Sequence, residues 1–95
     1  MRESTIERRL FQQAKRAGWW PLKFTSPSRR GVPDRLLLGP GGVTVFVELK
    51  APGKKPTRQQ AAVHRRMRRL QHTVLVIDSL EAVDQLFALE DSDAV

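Results

Sequence analysis

Gly31-Val32-Pro33-Asp34-Arg35-Leu36-Leu37-Leu38-Gly39-Pro40-Gly41-Gly42-Val43-Thr44-Val45-Phe46-Val47-Glu48-Leu49-Lys50 reads as two apolar strands joined by a turn. Val32–Leu38 and Val43–Lys50 are runs of aliphatic and β-branched residues, and the glycine-rich link between them has hairpin length. The two strands are therefore expected to pair antiparallel. Alternation along the second puts Val43, Val45, Val47 and Leu49 on one face and Thr44, Phe46, Glu48 and Lys50 on the other. One face packs, and the other ends in a carboxylate and an amine.

Downstream of this hairpin, Ala51–Pro56 is a loop carrying Lys54 and Lys55, followed by a predicted helix from about Thr57 to Leu70. Val74–Ile77 is a short continuous apolar run typical of a buried strand, and a last helix runs from Ser79 to about Leu89 with Val83, Leu86 and Phe87 inward. Upstream, Ile6, Leu10, Ala14 and Ala17 recur at helical spacing over residues 4 to 17, with Arg8, Arg9, Lys15 and Arg16 off that stripe. Gly18 stops this helix. Trp19–Phe24 is a candidate strand whose Pro21 assigns it to an edge or a strand start, and Thr25–Arg30 is a polar loop. The order αβββαβα describes one α/β domain over residues 1–95. A chain this short buries a modest share of its surface, so a homodimer that extends the core is expected.

Composition narrows the function. The absence of cysteine excludes disulfides and thiolate metal sites and fits a reducing cytoplasm, and two histidines make a zinc site a poor fit. Met1-Arg2-Glu3-Ser4 begins a polar helix rather than a signal peptide, and no apolar run is long enough to span a bilayer, so a soluble protein without a membrane partner is expected. The net charge of +7 is unevenly placed. Residues 1–72 hold all 17 Lys and Arg against four acids, whereas residues 73–95 hold six acids and no Lys or Arg. A field so lopsided attracts polyanions, since neutralising phosphates releases counterions from nucleic acid; a solubilising surface is the plainer reading.

The hairpin brings the start of one strand beside the end of the next, so Asp34 falls near Glu48. Close like charges raise a pKa unless a cation sits between them, and a hard divalent ion with oxygen ligands resolves the conflict. Asp34 capping the Pro33 turn, or Glu48 and Lys50 forming a surface pair, are the structural alternatives. Glu7 lies inside the apolar stripe of the first helix, yet Ser4-x-x-Glu7 also has capping-box spacing. Gln60 poses the same choice, being both the end of Thr57-x-x-Gln60 and a member, with Val63, His64, Met67 and Leu70, of the face turned to the sheet. Arg65, Arg66 and Arg69 project outward, with Arg68 nearer the boundary, a pattern suited to phosphates or to solvent.

Gly31-Val32-Pro33-Asp34, the glycine turn, Glu48-Leu49-Lys50 and Gln60 together resemble the PD-(D/E)xK nuclease superfamily, and within it the VRR-NUC family in its stand-alone phage and bacterial form. The resemblance runs from about Glu3 to Ser79. It implies a restriction-endonuclease-like αβββαβ(α) core with a small mixed sheet flanked by helices. It further implies that Asp34, Glu48 and the Leu49 carbonyl ligate Mg²⁺ or Mn²⁺, with Glu7 as the acid of the first helix, Lys50 positioning the attacking water and Gln60 supporting the site. Glu3, one turn before Glu7, leaves open which acid approaches the metal. Trp19-Trp20 departs from the small residues often found there. Lys23, Arg29, Arg30, Lys54, Lys55, Arg58, Arg65, Arg66 and Arg69 are the candidate DNA contacts. The expected activity is a metal-dependent endonuclease acting on branched DNA, resembling a junction resolvase, as a homodimer; a monomeric flap or nick nuclease and a non-catalytic DNA-binding module are the alternatives.

Overall fold

Helix α1 (Glu3–Arg16) buries Ile6, Leu10 and Ala14, the stripe its spacing predicts, and the chain turns out of it through Gly18 at a φ of +82°. The computed structural model describes residues 1–93, and from residue 89 onward the backbone alone. Strand β1 (Trp20–Lys23) follows, then β2 (Arg35–Leu38), β3 (Thr44–Leu49), helix α2 (Arg58–Arg69), β4 (Thr73–Ile77) and α3 (Leu80–Asp93). The sheet order is β1-β2-β3-β4. β1 and β2 pair antiparallel, as do β2 and β3, whereas β3 and β4 run parallel. The parallel pair requires a crossover, which α2 supplies. Pro21 lies in the edge strand β1, where a missing donor costs the ladder least.

Alternation gives the sheet two different faces. Leu37, Val45, Val47, Leu49 and Ile77 pack with Ile6, Leu10 and Ala14 of α1 and Val83 and Phe87 of α3 into one core. The residues between them face α2, whose buried members are Val63 and His64. The architecture is therefore helix pair, sheet, single helix. Phe46 on the α2 face meets the rings of Phe24 and His72 edge-on, at 5.9 and 6.3 Å.

Three local details differ from the expectation. β2 begins at Arg35 rather than Val32, because Gly31 stands at a φ of +88° and Pro33 donates no amide hydrogen to a ladder. Val43, expected inward, is 46% exposed: it closes the Pro40–Gly42 turn one residue before β3 begins and so is not part of the strand's alternation. The link between β2 and β3 contains a short 3-10 turn, Pro40–Gly42, closed by the Gly39 amide donating to the Val43 carbonyl at 2.7 Å. Gly39 also has a steric role that local sequence does not advertise. A Cβ there would sit 2.7 Å from the ring of Trp19, which is buried and meets Phe87 edge-on.

Candidate active site

The site grows from the end of the hairpin ladder. Arg35 pairs with Val47, so one residue further Asp34 stands beside the C-terminal end of β3. Asp34 is anchored from both sides: its carbonyl accepts from the Phe24 amide at 2.9 Å, and its Oδ1 accepts from the Leu49 amide at 3.1 Å. The Leu49 peptide thus lies directly against the carboxylate. The Lys50 amide donates to the Ile77 carbonyl at 3.0 Å, which fixes the chain where β3 ends.

Glu48 points to the α2 face and is 3% exposed. Burial, the neighbouring Asp34 charge and hydrogen bonding with Asp34 push its carboxyl from the ordinary 4.5 up to about 7, against the opposing pull of Lys50. Behind it, His64 of α2 is 1% exposed, and its Nε2 lies 3.6 Å from Glu48 Oε1. That distance is too long for a hydrogen bond, and neither atom has another partner among the described residues. Burial, and then the charges of Arg68 and Lys50, lower the His64 pKa, so the ring is neutral at pH 7 and does not neutralise the carboxylate.

The buried Glu48 carboxylate with its orphaned oxygen, the half-buried Asp34 carboxylate and the Leu49 peptide form a hard-oxygen cradle, and Arg35, with its Nη1 3.5 Å from Asp34 Oδ2, offsets part of the charge. Among the described residues no three His, Cys, Asp or Glu side chains gather as a metal cluster. Two carboxylates nevertheless suit Mg²⁺, which keeps several waters and takes further oxygens from a bound phosphate. The donors present fit such an ion.

The remaining candidates are placed differently. Glu7 sits on the α1 side of the sheet, where its Oε1 pairs with Arg35 Nη2 at 3.1 Å and Lys23 Nζ at 3.7 Å. The Ser4 capping box does not form, since the helix already starts at Glu3 and its N-cap, Arg2, makes no side-chain cap. Glu3 is the acid of α1 whose charge reaches Glu48. Arg35 also donates from Nη1 to the Asp34 carbonyl at 2.9 Å, a role that sequence reasoning missed. The adjacency of Arg35 to Asp34 was the available signal. Gln60 completes the capping box of α2: its Oε1 accepts from the Thr57 amide at 2.9 Å, and its own amide donates to Thr57 Oγ1 at 3.1 Å.

Of the candidate phosphate contacts, Arg29, Arg30, Lys54, Lys55, Arg58, Arg65, Arg66 and Arg69 are exposed, and Lys23 is exposed beside Glu7. Arg68 is tied down instead, donating from Nε and Nη2 to the Val74 carbonyl at 3.2 and 2.8 Å. No helix among the described residues is long and apolar enough to cross a membrane.

No family model matches the sequence. A curated relative, "Putative nuclease p44" of Acyrthosiphon pisum secondary endosymbiont phage 1, is 49% identical over 79 residues, covering 83% of this chain and 85% of the relative. A solved structure described as "VRR_NUC domain" matches with a TM-score of 0.84 and 31% identity over 90% of this chain and 94% of the other. Sequence likeness to a phage protein and a shared fold at substantial identity agree with the motif around Asp34 and Glu48: the chain belongs to the VRR-NUC nucleases of the PD-(D/E)xK superfamily, in their phage type.

Proposed function

We propose that the chain is a divalent-metal-dependent endonuclease that hydrolyses DNA phosphodiester bonds, with Asp34, Glu48 and the Leu49 carbonyl holding Mg²⁺ or Mn²⁺. The observation that carries this reading is the convergence of the Asp34 and Glu48 carboxylates, one of them buried with an unpartnered oxygen and a pKa near 7. A group so strained in isolation is poised for a cation. What the ion supplies when bound is charge at the phosphoryl oxygen and a more acidic water.

The chain's own residues do the rest. Asp34, held by the Leu49 and Phe24 amides, keeps its second oxygen fixed relative to β3. Lys50, two residues along the same face as Glu48, presents its ammonium to the phosphate or the attacking water and stabilises charge that develops there. His64 packs against Glu48 from α2, so that this side of the carboxylate is closed to solvent. The acid of the first helix is Glu7 or Glu3: Glu7 is engaged by Arg35 and Lys23, and Glu3 adds the smallest of the charges felt at Glu48. Gln60 supports the site indirectly, by fixing where α2 begins.

The preferred substrate is branched DNA, and the active species is a homodimer that presents two sites to opposing strands of a four-way junction. Incubating the protein and Mg²⁺ with junction, flap and linear duplex tests this. Paired cuts in the junction are expected, and Asp34→Ala or Lys50→Ala should lose about 10²-fold or more in rate while retaining salt-dependent binding. Cutting of flaps alone by a monomer would overturn the junction assignment, and no metal-dependent cutting of any substrate would leave a DNA-binding module.

A further inference from the structure

The flank of α2 beside the loop that carries Arg29 ends in exposed apolar surface. Leu70 is 67% exposed, and with Met67 and Val63 it floors a notch of about 230 Å³ whose rim is formed by Arg29 from the preceding loop and Arg66 from the helix. No residue lining the notch is acidic. The two walls are held at close range by Gly31, where a Cβ would come within 3.0 Å of both the Gln59 carbonyl and Val63 Cγ2. Val63 is also the neighbour of His64, which lies against Glu48, so the notch and the paired carboxylates share one turn of α2.

An apolar floor between two guanidinium groups matches a nucleotide outside a duplex. Its base seeks apolar or planar surface, and the phosphates on either side seek cations that can stack or fork. A paired base is stacked within its helix and cannot enter. A second copy of this chain docked by symmetry would set its own Arg29 and Arg66 against the first pair, a like-charge contact. Charge complementarity therefore favours a polyanion.

Taking the DNA substrate proposed above as given, we infer that the notch of Val63, Met67 and Leu70 receives an unpaired base while Arg29 and Arg66 hold the flanking phosphates. DNA whose stacking is interrupted is thereby engaged beside the carboxylates, and continuous duplex is not.

The test uses the full chain without divalent ion and 2-aminopurine placed either in a one-nucleotide bulge or paired within the same duplex. Binding should change the emission of the bulged probe and leave the paired probe unchanged. Leu70→Ser and Met67→Ser should each weaken bulge binding about fivefold or more, the low end for one base contact, and alter duplex binding less than about twofold. A silent bulged probe, or equal weakening on both DNAs, would overturn the inference. So would conversion of a self-associated species to monomer by Leu70→Ser in sedimentation, since a second copy would then own the notch. Cleavage of the wild type with Mg²⁺ is read separately: a responsive probe without cutting keeps the notch and removes the nuclease substrate reading, while cutting with a silent probe does the reverse.

Discussion

A carboxylate with a pKa near 7 carries a definite sign for stability. Folded Glu48 retains up to about pH 7 a proton that the unfolded chain releases near 4.5, so metal-free stability is fully present below 4.5 and falls as pH rises through that window. His64 works the other way, because burial lowers its pKa and its contribution is lost as pH falls below 6.5. Comparing wild type with Glu48→Gln isolates the first effect. At about pH 8 the metal-free variant should be more stable by about 1–3 kcal/mol, and the gap should close toward pH 4.5. Thermal melts measure this, and equal stability at both pH values would show that Glu48 is not strained. Mg²⁺ should raise the wild-type midpoint and leave that of the variant nearly unmoved.

At the level of elements, the bend before β2 does more than end a loop. Gly31 at a φ of +88° turns the chain so that Asp34, three residues on, meets the Leu49 amide. Gly31→Ala must bear a left-handed backbone and contacts at 3.0 Å with Gln59 and Val63, a cost of about 1–3 kcal/mol. Its single-turnover cleavage rate should fall more than its DNA affinity, because Asp34 shifts while the surface arginines stay; affinity falling first would place the role of Gly31 in binding. The mixed sheet followed from the family resemblance, whereas element order and the nearness of Asp34 to Glu48 were legible in the sequence because period-2 and helical spacing are local signals. The choice at Gln60 was not, since a capping box and an inward face share one spacing and only the atoms show which partner is taken. Nor was the fate of Glu7: its partner Arg35 is distant in sequence, and the face Arg35 takes depends on where β2 starts. The packing of Trp19 over Gly39 is a contact between segments, invisible to either alone.

For the molecule as a whole, charge follows the layers. By sequence, α2 holds five arginines and no acid, whereas α1 and α3 together hold seven acids against four Lys or Arg. Exposed ion pairs such as Arg9 with Asp84, at 2.9 Å between α1 and α3, add little to stability but cancel field on that side. Substituting Arg65, Arg66 and Arg69 together with alanine should reduce the slope of log affinity against log salt by about 2–3, close to one counterion per lost phosphate contact. Anisotropy titrations across a salt series check it, and an unchanged slope would move the binding surface elsewhere.

The sheet that separates these layers also acts as the spacer of a permanent electric dipole, with its positive pole on the α2 side. In the field of a polyanion such a dipole experiences a torque within roughly a Debye length of about 10 Å. A molecule arriving with α3 foremost is rotated before it touches, so the search for a productive encounter becomes one of turning rather than of repeated collision.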